Sequence, residues 1–364
     1  MPGNSFGQLL RLTSWGESHG VGLGVVIDGC PAGIELSEED FAADLARRRP
    51  GQSRVTSQRK EEDRAELLSG VFEGRTTGMP IALLVRNTDV DSSKYDAIRH
   101  LFRPGHADYT YQAKYGVRDH RGGGRSSARE TVARVIGGVI AKKIIARRGM
   151  RVLGYTVQIG DIAAKTFDES QIERNLVRCA DALAAEQMEQ LILACRKERD
   201  SVGGIVEVRV RGMPAGLGEP VFHKLDADLA AALMSIGSVR GVEFGAGFAV
   251  AGMRGSQCND AMRSEGGRVT MLTNHAGGVV GGISNGADLV VRIAIKPTSS
   301  IAQPQQTVDD QGVDSTIVVE GRHDPAICPR IVPVAEAMVA LVLADHLLRQ
   351  QGARVAYLDA VPRT

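Results

Sequence analysis

The order of strand-like and helix-like segments constrains the fold of this chain more than any other feature. Two strand-like runs, 205–211 and 289–295, alternate apolar and polar side chains, as strands with one buried face do. A doubly wound parallel sheet needs strands that alternate strictly with helices, and here they do not. The sequence therefore predicts an α+β fold with antiparallel sheets. The other strand-like runs are 23–28, 81–86, 152–159, 244–252 and 316–320.

Helices are predicted from caps and from apolar periodicity. Ser37 with Asp40 resembles a capping box, at the start of a helix that ends at Arg49 before a Pro-Gly pair. Ser127 with Glu130 begins a second helix, which extends to about residue 148 and carries an apolar stripe. Further helices are predicted at 168–184, 186–199, 224–235 and 333–351.

The composition is that of an ordinary globular protein, with 43% hydrophobic and 24% charged residues. No linker or low-complexity segment divides the 364 residues, so we expect a single domain over 1–364. The five cysteines are widely spaced and form no CxxC pair, which argues against a disulfide framework and a metal site. No apolar leader and no apolar run of 18 residues is present, so we expect a cytoplasmic protein with no membrane partner.

Arginine dominates the 44 basic residues, although the formal net charge is only +1. Arginine binds phosphate and carboxylate through two parallel hydrogen bonds, but a GC-rich genome also favours arginine codons. Basic residues concentrate between 99 and 134, where few acidic residues oppose them. The pattern favours a site for an anion with several phosphates or carboxylates. The low net charge and the 4% aromatic content argue against the alternative, an RNA-binding module.

The 43 glycines are clustered. Gly122, Gly123 and Gly124 directly precede a predicted helix, where free N–H groups bind anions. A second cluster lies at 274–286, where close approach of a flat ligand or of another backbone competes with a flexible surface loop as the explanation.

Several catalytic motifs are missing from the sequence. It contains no P-loop and no HExxH, and the glycines at 20–24 do not complete GxGxxG. The GxSxG match at 282–286 has a glycine-rich segment before it and a strand-like run after it, which argues against a serine hydrolase. His19, His106 and Asp324 lie in the basic and glycine-rich segments and are candidate acid–base groups.

Nine motifs together resemble chorismate synthase, and they occur in family order from residue 3 to about 350. They are GNSFGQLLRLTSWGESHG (3–20), RRRPGQSRVTSQRKEED (47–63), RPGHAD (103–108), RGGGRSSARET (121–131), GVEFGAGF (241–248), RGSQCND (254–260), TNHAGGVVGGISNG (273–286), KPTSS (296–300) and GRHDP (321–325).

The resemblance implies a reaction and a fold. The family converts 5-enolpyruvylshikimate-3-phosphate to chorismate and phosphate, the last step of the shikimate pathway, by an anti-1,4-elimination. The family requires reduced FMN although no net redox change occurs. Its fold is a β-α-β sandwich with helices layered between two antiparallel sheets, assembled as a homotetramer.

The resemblance also implies roles for individual residues. His19 would protonate the departing phosphate, His106 would keep the reduced flavin correctly protonated, and Asp324 would assist flavin N5 as a base. Substrate would meet Ser18, Arg48, Arg54, Arg103, Arg129 and Arg322. FMN would meet Arg125, Ser126, Ser127, Gly237, Ser238, Gly281, Lys296, Pro297, Thr298, Ser299, Ser300 and Arg322.

The source of reduced flavin stays open at this point. The family assigns the positions of Arg48 and Arg54 to NADPH as well as to substrate, and an external flavin reductase is the alternative to NADPH. An ordinary flavin or NADPH oxidoreductase is the competing enzyme class, which steady net turnover of NADPH would support.

Overall fold

A computed structural model describes residues 3–55, 62–88, 93–321 and 323–358. The strands are β1 (Ser5–Phe6), β2 (Arg11–Gly16), β3 (Gly22–Asp28), β4 (Ala65–Leu67), β5 (Val71–Phe72), β6 (Arg75–Thr76), β7 (Ile81–Arg86), β8 (Arg151–Ile159), β9 (Ile162–Ala163), β10 (Gly204–Arg211), β11 (Val239–Phe244), β12 (Met262–Glu265), β13 (Arg268–Met271), β14 (Val279–Val280), β15 (Ile283–Ser284), β16 (Leu289–Ile295), β17 (Gln305–Val308) and β18 (Asp314–Ile317). The helices are α1 (Ala42–Arg48), α2 (Ser93–Asp96), α3 (Asp108–Tyr115), α4 (Thr131–Ala146), α5 (Ala182–Lys197), α6 (Leu225–Met234), α7 (Gly255–Cys258), α8 (Cys328–Arg349) and α9 (Val355–Leu358).

Two five-stranded antiparallel sheets form the outer layers of the fold. The first has the order β1-β2-β3-β7-β4 and the second the order β11-β16-β10-β8-β9. Helix α4 contacts β2 and β3 of the first sheet, and α8 contacts β8 and β10 of the second. The two helices also pack on each other, so they form the layer between the sheets. The predicted β-α-β sandwich is confirmed.

Small residues let the two central helices approach each other closely. A Cβ added to Gly138 of α4 would lie 2.3 Å from the Cβ of Ala337 in α8. A Cβ on Gly137 would lie 2.4 Å from a methyl group of Leu12 in β2. Glycine lowers helix propensity, but here it allows close packing of α4 on both neighbours.

A buried carboxylate joins the central helix to three other elements. Glu336 of α8 accepts hydrogen bonds from Arg47 of α1, Lys142 of α4 and the backbone N–H of Gly154 in β8. Burial alone would raise the pKa of Glu336, but Lys142 and Arg47 outweigh it and lower that pKa to about 2. Glu336 is therefore ionised at neutral pH.

Three predicted elements need correction. The segment predicted as a helix at 168–184 forms a 3-10 turn, Glu169–Arg174, and α5 starts only at Ala182, where Asp181 caps it. The predicted strand at 244–252 is wrong: the strand here, β11, ends at Phe244, because Gly245 and Gly247 at positive φ turn the chain into a 3-10 turn over Gly247–Gly252.

The third correction concerns the last long helix, predicted from residue 333. It begins at Cys328 and carries Pro329 in its first turn, where no N–H is needed, and Pro333 in its second. Among the described residues one stretch, Cys328–Gly352, is long and apolar enough to cross a membrane, and 94% of its most apolar window is buried inside the protein. This stretch is the central helix of the fold.

Candidate active site

A cavity of about 770 Å³ opens at one end of the helical layer. Its wall combines β1 and β2, the loops at 105–107 and 235–240, the start of α4, and the N-terminal half of α8. Nine of the predicted site residues line it: Arg48, His106, Arg125, Ser126, Ser127, Gly237, Ser238, Lys296 and Ser299.

The triple-glycine loop brings the two predicted histidines together. A Cβ added to Gly122 would lie 2.4 Å from Cδ2 of His19, and one added to Gly123 would lie 2.9 Å from Cε1 of His106. Both glycines have positive φ, at +66° and +98°. Two imidazoles therefore lie against consecutive residues of one loop, in space that only glycine leaves open.

His106 belongs to a compact charge cluster at the start of α3. Its Nδ1 lies 2.9 Å from Oδ1 of Asp108. The same carboxylate accepts from Arg103 Nε at 2.7 Å and from Arg103 Nη2 at 2.8 Å. Burial would raise the pKa of Asp108, but Arg103 and His106 hold it well below its usual range. Asp108 is therefore an anion.

A second buried carboxylate holds two of the predicted substrate-binding arginines. Asp63 forms ion pairs with Arg48, at 2.5 Å, and with Arg129. Burial lowers the pKa of Arg48 to about 10, and Asp63 offsets part of that effect. Within the described part of the chain, Nε and Nη1 of Arg48 are buried without a hydrogen-bond partner. Two buried cationic donors without acceptors are expected where an anionic ligand binds.

A chain of hydrogen bonds connects the His19 loop to Asp324. Asn87 donates to the backbone oxygens of Glu17 and Gly20 and accepts from Nε of Arg129. At the other end, Arg330 donates to the backbone oxygen of Arg48 and forms an ion pair with Asp324. Asp63 links the two arginines, Arg129 and Arg48. One network of hydrogen bonds and ion pairs therefore runs from the His19 loop to Asp324.

Ser18 precedes His19 on the same loop. Its Oγ is buried and has no hydrogen-bond partner among the residues that the structure describes. A Cβ on Gly122 would lie 3.1 Å from this oxygen and 2.5 Å from Nε2 of His19. The hydroxyl and the imidazole therefore converge on the same point of the glycine loop.

The 296–300 turn packs against the loop that carries His106. Lys296 Nζ donates to the backbone oxygen of Gly105 at 2.9 Å, and burial with help from Arg240 lowers the pKa of Lys296. Thr298 Oγ1 is buried without a partner among the described residues. Pro297, Thr298 and Ser300 lie in this turn beside the cavity-lining Lys296 and Ser299.

Arg125 joins the glycine loop to β2, and Ser126 and Ser127 form hydrogen bonds within the loop segment itself. Arg125 donates to the backbone oxygen of Gly16 and, at 2.7 Å, to Oγ of Ser14. Ser126 Oγ donates to the backbone oxygen of Gly123, and Ser127 Oγ accepts from the N–H of Arg129. Ser127 is thus a cap, as predicted, although a 3-10 turn separates it from α4.

Several predicted residues outside the cavity lining, including His19, Arg129 and Asp324, are tied to it by the contacts above, whereas three others are not shown there. The side chain of Arg54 is 69% exposed and pairs with Glu189. Gly281 lies outside the cavity lining, in the turn between β14 and β15. Arg322 falls outside the described residues.

Ser284 of the GxSxG match is buried in β15 and donates to the backbone oxygen of Pro214, as a structural hydroxyl does.

The prediction omitted five residues that organise the site. Asp63, Asn87 and Asp108 bind the predicted groups, and Arg134 and Arg330 line the cavity. Asp63 and Asp108 both lie in motifs that resemble the family. An acidic residue in a motif with arginine was the sequence signal that could have identified them as partners of the arginines. Asn87 lies in no quoted motif, so its role depends on the fold.

Comparisons with known proteins identify the family of this chain. Residues 10–348 match the family described as chorismate synthase. Chorismate synthase of Chloroflexus aggregans is 60% identical over 360 residues, 99% of this chain and 99% of that protein. Chorismate synthase of Methanosarcina mazei is 58% identical over 354 residues, 96% and 97% of the two chains.

A solved structure extends the likeness to three dimensions. The crystal structure of a chorismate synthase superposes with a TM-score of 0.77 at 32% sequence identity, and covers 95% of this chain and 94% of that one. The chain belongs to the chorismate synthase family.

Proposed function

We propose that this protein converts 5-enolpyruvylshikimate-3-phosphate to chorismate by anti-1,4-elimination of phosphate and the C6 proton. The observation that carries the proposal is the arginine cluster around Asp63, whose buried donors on Arg48 have no partner among the described residues. This cluster is connected through Asn87 to the His19 loop, and the glycine loop beside His19 also packs against His106, which lines a cavity of about 770 Å³. The substrate is a phosphoester with two carboxylates, which matches such donors.

The arginines and His19 would act on the leaving group. Phosphate that leaves an allylic carbon develops negative charge, and fixed cationic donors stabilise that charge most strongly in a site shielded from water. Arg48 and Arg129 are held by Asp63, so they need no reorganisation when the charge develops. His19, with Ser18 beside it, would donate the proton that the phosphate takes up.

The cavity residues fit a flavin mononucleotide. Small-molecule sites occupy about 300–1,000 Å³, so the cavity has room for a flavin. Ser126, Ser127, the Gly237–Ser238 backbone and Lys296 line it and would hold FMN, with the buried hydroxyl of Thr298 nearby, which has no partner among the described residues. Ser238 adopts a φ of +77°, so its peptide groups point in directions that a helix or a strand does not give. A reduced FMN held by these residues would supply electron density to the breaking C3–O bond, with no net oxidation of the flavin.

His106 and Asp324 would manage protons around the flavin. His106 lines the cavity and is engaged at Nδ1 by Asp108, so Nε2 is the ring atom that meets a ligand. Asp324 is a buried carboxylate paired with Arg330, which itself lines the cavity. Asp324 would assist removal of the C6 proton.

The wider setting of the enzyme belongs to the same proposal. We propose a cytoplasmic homotetramer that obtains reduced FMN either from NADPH or from an external flavin reductase. Arg48 is buried and Arg54 is 69% exposed, so only Arg54 offers a guanidinium to a ligand that stays at the surface. This difference supports substrate at Arg48 and NADPH at Arg54.

An anaerobic assay tests the reaction. Purified protein with photoreduced FMN is given 5-enolpyruvylshikimate-3-phosphate, and phosphate release is followed. We expect release with reduced FMN and none with oxidised FMN alone. Absence of release with reduced FMN would reject the proposed reaction. Adding NADPH to oxidised FMN, with no other reductant, distinguishes the two sources: activity there assigns flavin reduction to this protein.

A further inference from the structure

The carboxylate of Asp108 is shared between two groups with different proposed tasks. Oδ1 meets Nδ1 of His106 at 2.9 Å and Nη2 of Arg103 at 2.8 Å. Oδ2 accepts from Nε of Arg103 at 2.7 Å and from its backbone N–H at 3.1 Å. Arg118 Nη1 approaches Oδ1 to 3.7 Å. Each of these described contacts of the carboxylate is with a nitrogen that can donate.

This arrangement determines which ring nitrogen of His106 carries the proton. An ionised carboxylate can only accept hydrogen bonds, so Nδ1 of His106 must be the donor. In the neutral ring, Nε2 then has a free lone pair, and it lies on the edge of the ring away from Asp108. His106 lines the cavity, so this lone pair is the part of the ring available to a ligand.

We propose that Asp108 is a positioning residue, which fixes His106 as the Nδ1–H tautomer with Nε2 available to the cavity and holds Arg103 beside it. Arg103 is buried, and its guanidinium lies over the ring of Tyr95, which packs edge-on against His19. Asp108 therefore sets both the tautomer of one histidine and the position of an arginine that is linked to the other histidine through Tyr95. The inference deepens the proposed function and rests on it for the kinetic effects alone.

The first test needs neither substrate nor flavin. In ligand-free protein with ¹⁵N-labelled histidine, the ring nitrogen shifts of His106 report the tautomer, and the signal is assigned by its loss in His106→Ala. The wild-type protein should show Nδ1–H in the neutral ring. In Asp108→Asn the amide can donate to Nδ1, so we expect the Nε2–H tautomer. Nε2–H in the wild-type protein, or an unchanged tautomer in a folded Asp108→Asn, would overturn the proposal.

A double-mutant cycle separates positioning from a merely structural role. Asp108→Asn should lower kcat at least about tenfold, as His106→Ala should, because the wrong tautomer removes His106 from proton transfer. In the His106→Ala background, the same change should cost less than about tenfold, because the histidine on which it acts is gone. If the double variant loses kcat by the product of the two single losses, Asp108 does not act through His106.

The chain offers a matched control. Asp310 pairs with Nδ1 of His100 at 2.8 Å, the same contact on an exposed surface. Asp310→Asn should leave the His106 tautomer and kcat unchanged. If the wild-type protein forms no chorismate, the proposed function fails, while the tautomer measurement still decides the role of Asp108.

Discussion

At the residue scale, two buried carboxylates organise the basic groups of the site. Asp63 holds Arg48 and Arg129, and Asp108 holds Arg103. Clustered arginines repel one another, and a buried carboxylate between them offsets that repulsion while it fixes their directions. The arginines are therefore in place before an anionic ligand arrives, which lowers the free energy that binding must spend on ordering them.

The two histidines give the first prediction. His19→Ala and His106→Ala should each lower kcat at least about tenfold, since a positioned proton-transfer group contributes 10²–10⁴. Steady-state kinetics with reduced FMN under anaerobic conditions measures the loss. His100→Ala is the control, because its side chain is 61% exposed and pairs with Asp310 at the surface. Wild-type rates in both site variants would reject the assigned roles.

Site residues could be predicted where they lie in a recognisable motif. They were harder to predict where only the fold brings them next to another site residue. His19 and His106 were named from their motifs, and the structure places both against the glycine loop. The role of Asn87 could not be predicted, because it depends on the end of β7 lying beside the His19 loop. Hydrogen bonds between residues far apart in sequence exist only in the folded chain.

At the element scale, the triple-glycine loop is the part that assembles the site, and it gives a second prediction. A methyl group on Gly122 would lie 2.4 Å from the His19 ring, so Gly122→Ala should displace that ring and lower kcat at least about tenfold. It should also cost about 1–2 kcal/mol of stability, because alanine disfavours positive φ.

Gly116 provides the matched control for this prediction. Its φ is +73°, close to the +66° of Gly122, and no atom lies within 4 Å of an added Cβ. Gly116→Ala should therefore carry the same backbone cost with normal kcat. Kinetics and urea unfolding of both variants are the measurements. Equal activity of the two variants would show that the contact with His19 does not matter.

The attachment of the central helix α8 gives a pH-dependent prediction. The folded pKa of Glu336, about 2, lies below the ordinary value of 4.5. A lowered carboxyl pKa stabilises the folded state fully above pH 4.5, and this stabilisation is lost as pH falls from 4.5 toward 2. At about 1.4 kcal/mol per pKa unit, the contribution is about 3 kcal/mol.

Urea unfolding between about pH 6 and about pH 3 tests this contribution. Glu336→Gln should lower the free energy of unfolding by about 3 kcal/mol at the higher pH and flatten its fall toward the lower one. Glu35→Gln is the control, since Glu35 is 77% exposed and pairs with Arg75 at the surface. If the free energy of unfolding of Glu336→Gln still falls steeply toward the lower pH, other carboxylates cause that fall.

Elements were predictable where local sequence decides them. The helix at 224–235 and the strands at 205–211 and 289–295 match α6, β10 and β16 closely. Strand β2 was missed although its side chains alternate between exposed and buried, because serine and glycine dilute its apolar pattern. The start of α8 was misplaced because Pro333 lies within the second turn instead of opening the helix.

At the scale of the whole molecule, two sheets share one helical layer. Buried side chains from both sheets and from α4 and α8 form one continuous hydrophobic cluster, while the single domain over 1–364 stays a prediction. The order of strands within each sheet depends on pairings distant in sequence, such as β7 beside β3. Such pairings leave no local signal, so the sandwich followed from the family resemblance and only its antiparallel α+β character from the residues.

We propose that this arginine-rich cavity performs an elimination in which reduced FMN is required and not consumed. The direct measurement is the ratio of chorismate formed to flavin oxidised, in an anaerobic reaction with a limiting amount of reduced FMN. We expect many molecules of chorismate, with one phosphate each, for every flavin, and a flavin that stays reduced. One flavin oxidised per product, or steady consumption of NADPH without chorismate, would contradict it.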